Sequence, residues 1–206
     1  MALAAASVFE VRTAGNDTNG GGFVTGASGT DYSQQDTKNT VGADISTADG
    51  VGNGTTTFTS ATGNFGTTIV GNIIYLQGGT GALAAGRYQV TARASTTSIT
   101  LDRAVAAGTG ITMNIGGAVL TLGILGSTTA TAMVSGNKVF IKAGTYLITS
   151  ASVNISGGCF SSASGNKYIE GYQTARGDFG TKPLLQASAI NTFTLIACIG
   201  SGNSFV

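Results

Sequence analysis

The sequence predicts an all-β chain: a small antiparallel β-barrel or sandwich, then a short helix, then a partial parallel coil of very short strands. Three observations carry this reading. β-branched and aromatic residues recur in short runs, such as Val139-Phe140-Ile141 and Ile73-Ile74-Tyr75-Leu76, and such side chains suit a pleated, half-buried surface. Glycine supplies 33 of the 206 residues and proline one, so turn signals punctuate nearly every run. A helical period is evident in one stretch, Ala118–Val134.

Composition narrows the chemistry. Ten basic and nine acidic residues give a net charge of +1, and hydrophobic residues make up 42%. The charges are scattered singly. No basic stripe offers the footprint of a nucleic-acid binder, so no nucleic-acid partner is expected. Histidine is absent, which removes the commonest general base and metal ligand. Cys159 and Cys198 stand alone, with no CxxC pattern. They read as small buried residues, a disulfide between them remaining open, and no zinc site is expected. No apolar run reaches the roughly 18 residues of a membrane span, and the N-terminus lacks the basic start of a signal peptide. No membrane partner is expected.

The first unit, residues 1–38, reads as an extended arm. Ser7–Thr13 alternates as a strand, with Val8 and Glu10 on one face and Phe9 and Val11 on the other. A long Gly/Asn/Asp/Thr loop follows, and loops of that length are functional or held by a partner. Asp17, Asn19 and Gly20 match the opening of a calcium loop, but the later ligands, above all the terminal Glu, are missing. Gly20-Gly21-Gly22 lacks the GK[ST] of a phosphate loop and reads as a connector.

The second unit, residues 39–116, carries candidate strands at Thr40–Ile45, Thr55–Ser60, Thr67–Gln77, Gly86–Ala94, Ser98–Asp102 and Ile111–Ile115. Their regular spacing predicts the barrel or sandwich. Gly71-Asn72 breaks the third of these. Tyr88, Val90 and Ala92 are expected on one face of a hairpin, and Ile99 and Leu101 on its partner strand.

The third unit, residues 117–206, opens on the helix. Ala118, Leu122, Leu125, Thr129 and Met133 share one helical face. Gly123 and Gly126 each weaken it by roughly 1 kcal/mol relative to Ala. Short strands follow at Lys138–Lys142, Tyr146–Ile148, Ser152–Ile155, Lys167–Gly171, Leu184–Gln186 and Thr192–Ile196. They recur without a repeated hairpin turn, which predicts a parallel coil. The pattern stops inside a strand at Phe205-Val206. Further chain or another subunit is expected to cover that open end.

Asn137–Ser156 (NKVFIKAGTYLITSASVNIS) resembles the opening coil of the pectate-lyase-like right-handed parallel β-helix superfamily. Val139-Phe140-Ile141 stands for the first rung, Gly144-Thr145-Tyr146 for the turn after it, and Ala118–Val134 for the capping helix. Tyr168–Pro183 (YIEGYQTARGDFGTKP) is similar to the second rung and the loop that follows it. Residues 8–36 resemble the N-terminus of β-helix proteins common in tailed bacteriophages. The resemblance implies a virion structural protein: a capsid decoration or cement protein if 206 residues is the whole product, a tail fibre or tailspike anchor if the chain continues. It implies a homo-oligomer, a trimer by analogy, whose residues 1–38 contact other virion proteins. A carbohydrate-degrading tailspike is the alternative it leaves.

The residues themselves assign no catalytic, cofactor-binding or metal-binding position, and no enzyme is expected. Glu170 and Asp178 are the last two carboxylates in the chain. A glycosidase would need two such groups about 5–10 Å apart, but Glu170 alternates outward from a strand as an ordinary solvated residue. Arg176-Gly177-Asp178 spells an integrin-binding tripeptide and reads as a turn. Asp102-Arg103 reads as a local surface ion pair.

Overall fold

The computed structural model describes residues 4–122, except 82 and 84, together with residues 136–148 and 168–187, except 179. Twelve strands are described: β1 (Ser7–Val11), β2 (Gly22–Val24), β3 (Thr47–Gly52), β4 (Thr57–Thr59), β5 (Asn72–Gln77), β6 (Gly86–Ser95), β7 (Ser98–Leu101), β8 (Gly108–Ile115), β9 (Lys138–Lys142), β10 (Thr145–Ile148), β11 (Tyr168–Tyr172) and β12 (Leu184–Ala187). The fold is all-β. Among the described residues, helical geometry is confined to the 3-10 turn Thr67–Ile69 and to Leu122.

Six strands close an antiparallel barrel in the order β5-β6-β7-β4-β3-β8, with β8 returning to β5. Closure removes the free edges that an open sheet of this size would expose. The inward-facing residues alternate with outward polar ones, as in Ser98-Ile99-Thr100-Leu101. Phe58, Ile74, Leu76, Val90, Ile99 and Ile111 are fully buried inside. The expected barrel-or-sandwich is therefore a barrel.

Strand β5 joins this barrel to the rest. One of its edges pairs with β6. The other is shared: Asn72 and Ile73 pair with Phe23 and Gly22 of β2, and Ile74–Gln77 pair with β8. β2 in turn pairs antiparallel with β1. On its far side β1 pairs in parallel with β9, and β9 pairs in parallel with β11. A second parallel ladder joins β10 to β12. The register is regular, with Phe9, Val139 and Ile169 in one row and Val11, Ile141 and Gly171 in another.

Several expectations are corrected here. The helix does not begin at Ala118. Val119 is extended and forms a parallel bridge with Val11. Its amide donates to Glu10 O and its carbonyl accepts from Arg12 N, so the groups a helix would use are spent on β1. Residues 123–134 of that helix lie outside the described residues, as do Ser152–Ile155, Thr192–Ile196, Phe205-Val206 and both cysteines. Thr40–Ile45 is a bent loop, not a strand, because Gly42 and Asp44 take left-handed backbone angles of φ +85° and +59°. Thr67–Gln77 begins as the 3-10 turn and becomes extended at Asn72. Ala92 is exposed and does not share the face of Tyr88 and Val90. The register shifts between Val90 and Ala92, and a bulge of this kind turns the following side chains to the other face.

Within residues 1–38, strands β1 and β2 are built into the sheet. All five residues of β1 are buried, and β2 lies between β1 and β5. Gly20 permits this, since a Cβ there would sit 2.1 Å from Ile73 O.

Phe58→Ala empties the barrel centre and is expected to destabilise by about 3–5 kcal/mol, read as a lower denaturant midpoint at unchanged slope. Ser7 Oγ is buried without a hydrogen-bond partner, so Ser7→Ala is expected to leave stability unchanged or raise it by about 1 kcal/mol in the same measurement.

Candidate functional site

The alternation of β1 places Glu10 in a strand that is covered on both faces, and its side chain is fully buried. A carboxylate there requires partners. Three groups supply them. Arg12, two residues further on and just past the end of β1, donates from Nε to Oε1 at 3.0 Å. Arg176, in the turn after β11, reaches Oε2 from Nε at 2.8 Å and from Nη2 at 2.7 Å. The hydroxyl of Tyr172, at the end of β11, donates to Oε1.

The cluster extends outward from there. Arg176 Nη1 pairs with Asp31 Oδ2 at 2.9 Å, and Nη2 donates to Ser33 Oγ. Arg12 Nη1 pairs with Asp36 Oδ1 at 3.2 Å. The Arg176 guanidinium also lies over the Phe140 ring, 4.5 Å from its centroid. Three carboxylates and two guanidiniums thus join β1, the loop at residues 31–36 and the turn after β11. Burial pushes the Glu10 carboxyl above its usual range, and Arg176 and Arg12 pull it back without fully cancelling the rise. Tyr146 is pushed up to about 12 by burial and by the nearby Glu10 charge. Its hydroxyl donates to Lys142 O at 2.7 Å.

The long loop after β1 is held by a second polar set. Arg87 on β6 is buried, stacks against its cross-strand neighbour Tyr75, and donates to the carbonyls of Asp17, Asn19 and Gly20. Burial lowers its pKa to about 10. Lys38 Nζ donates to Asn114 Oδ1 at 2.8 Å, and Asn114 Nδ2 donates to Thr18 O. Buried Asn72 accepts from Tyr32 N and donates to Thr30 O. The backbone carbonyls of Asp17, Asn19 and Gly20, the residues that matched the opening of a calcium loop, therefore face a guanidinium. Asp17 instead binds the amides of Leu120 and Thr121. Among the described residues, no group of three or more His, Cys, Asp or Glu side chains is arranged to hold a metal ion.

The carboxylates singled out from the sequence have local partners. Asp178 accepts from the amides of Gln173, Thr174 and Ala175, and Glu170 accepts from Gly177 N. Both close the same turn. Arg176 of the Arg-Gly-Asp tripeptide is committed to Glu10 and Asp31. Asp102 and Arg103 do pair, at 2.9 Å, and Arg103 stacks on Tyr88. Asp102 also accepts from Gln89 N, so this pair pins the β6–β7 hairpin.

Sequence reading missed Glu10, Arg12 and Arg87 as organising residues. The available signal was a charged residue inside an alternating apolar run, Val8-Phe9-Glu10-Val11, in a chain with few charges. Its partners Tyr172 and Arg176 lie too far along the sequence for spacing to reveal them. Comparison with family models, with curated proteins and with solved structures yields no match. Among the described residues no helix is long and apolar enough to cross a membrane.

Arg176→Ala removes one of the two guanidiniums that pair with a buried carboxylate and is expected to cost about 3 kcal/mol. Combining it with Glu10→Gln should recover part of that loss, giving a coupling energy of about 1 kcal/mol or more in a double-mutant cycle.

Acid unfolding tests the other carboxylates. Backbone hydrogen bonds, that from Gln173 foremost, hold Asp178 at about 2. For Asp49 burial pushes upward, but bonds from Ser60, Thr47 and Thr62 outweigh it and also leave the group at about 2. Both folded values lie below the ordinary 3.8. Their stabilising contribution is therefore present above about pH 4 and is lost as pH falls towards 2. Glu10 has the opposite sign: its raised value favours the fold at low pH and loses that contribution as the group ionises. Carboxyl NMR titration of the folded chain should give midpoints near 2 for Asp49 and Asp178.

Proposed function

We propose that the chain is a structural protein of a tailed-phage particle and works by binding and bracing other subunits. On this reading the ladders β1–β9–β11 and β10–β12 are two faces of successive rungs in a right-handed parallel β-helix, with the antiparallel barrel seated at its first rung. The observation that carries the proposal is this stepwise parallel pairing, whose short strands follow the motifs that resemble the phage β-helix proteins. The polar side chains described above add support. Glu10, Arg12, Arg176, Asp49 and Asp178 are all committed to bonds that hold the chain's own strands and turns, which is work suited to a rigid scaffold.

Contacts with neighbouring particle proteins are assigned to the exposed part of residues 1–38. β1 and β2 anchor this region in the sheet, while Thr25, Ser28, Thr30, Gln34 and Thr37 face outward. These uncharged side chains suit close protein–protein contact, where hydrogen bonds and packing matter more than electrostatic steering. The assembly is a homo-oligomer, with a trimer as the first expectation. The role is structural, and no catalytic step is assigned.

Native mass spectrometry of the purified chain should give an oligomer, and peptide mapping of purified particles should find the chain in them. A triple variant, Thr25→Arg, Ser28→Arg and Thr37→Arg, should keep the β-sheet circular dichroism of the parent and lose incorporation. A persistent monomer that does not bind particles, and is absent from them, would overturn the proposal.

A further inference from the structure

We draw no further inference here: the strongest candidate, the exposed apolar side chains Leu147, Tyr168 and Leu184 on the parallel strands β10, β11 and β12, carries nothing because the structure does not show what covers them.

Discussion

A buried carboxylate sets the terms for much of this molecule. Removing an ion from water costs several kcal/mol unless other charges and hydrogen bonds replace the lost solvation. Glu10 meets that demand with one cation two residues away and one from a turn 166 residues further on. The second cannot arrive until β9 and β11 have stacked on β1. Stacking the ladder and neutralising the carboxylate are therefore one event. Asp31 and Ser33 bring the N-terminal loop into the same cluster, so three distant parts of the chain depend on a single arrangement of charge.

The N-terminal loop is ordered by the same economy. It has few apolar residues to bury, and an ordered loop must place its main-chain groups. Buried Asn19, Asn72 and Asn114 and the guanidinium of Arg87 take up those groups. Asn72 and Arg87 lie on adjacent strands of the barrel, β5 and β6, and Asn114 lies on β8. The barrel wall thus presents a polar template to the loop, and the loop covers the barrel in return. A sequence rich in Gly, Asn and Thr becomes well ordered here through side-chain-to-backbone bonds.

Local pattern made parts of this fold legible. Strands with clean alternation, such as Lys138–Lys142 and Ser98–Leu101, stand close to where the residues place them, because alternation reports burial directly. The failures have separate causes. β3 contains Asp49-Gly50, a turn signal overridden by pairing with β4 and β8 on either side. β2 lies in a glycine-rich stretch, and its strand geometry comes from β1 and β5. Ala118 and Val119 carried a helical period, yet their hydrogen bonds go to Gln35, Glu10, Arg12 and Asn16. The charged cluster was the least legible feature. Glu10 was visible as an anomaly, but Tyr172 and Arg176 are brought to it only by the parallel stacking.

A parallel ladder hands to each new strand the same row of donors and acceptors that the previous strand received, so its geometry contains no instruction about length. β1 breaks that symmetry on one side, because it is parallel to β9 but antiparallel to β2. The ladder therefore has a defined origin and a direction. Among the described residues, none of β9, β10, β11 and β12 pairs with a barrel strand. The pairing within the barrel is therefore independent of how many strands the ladder holds.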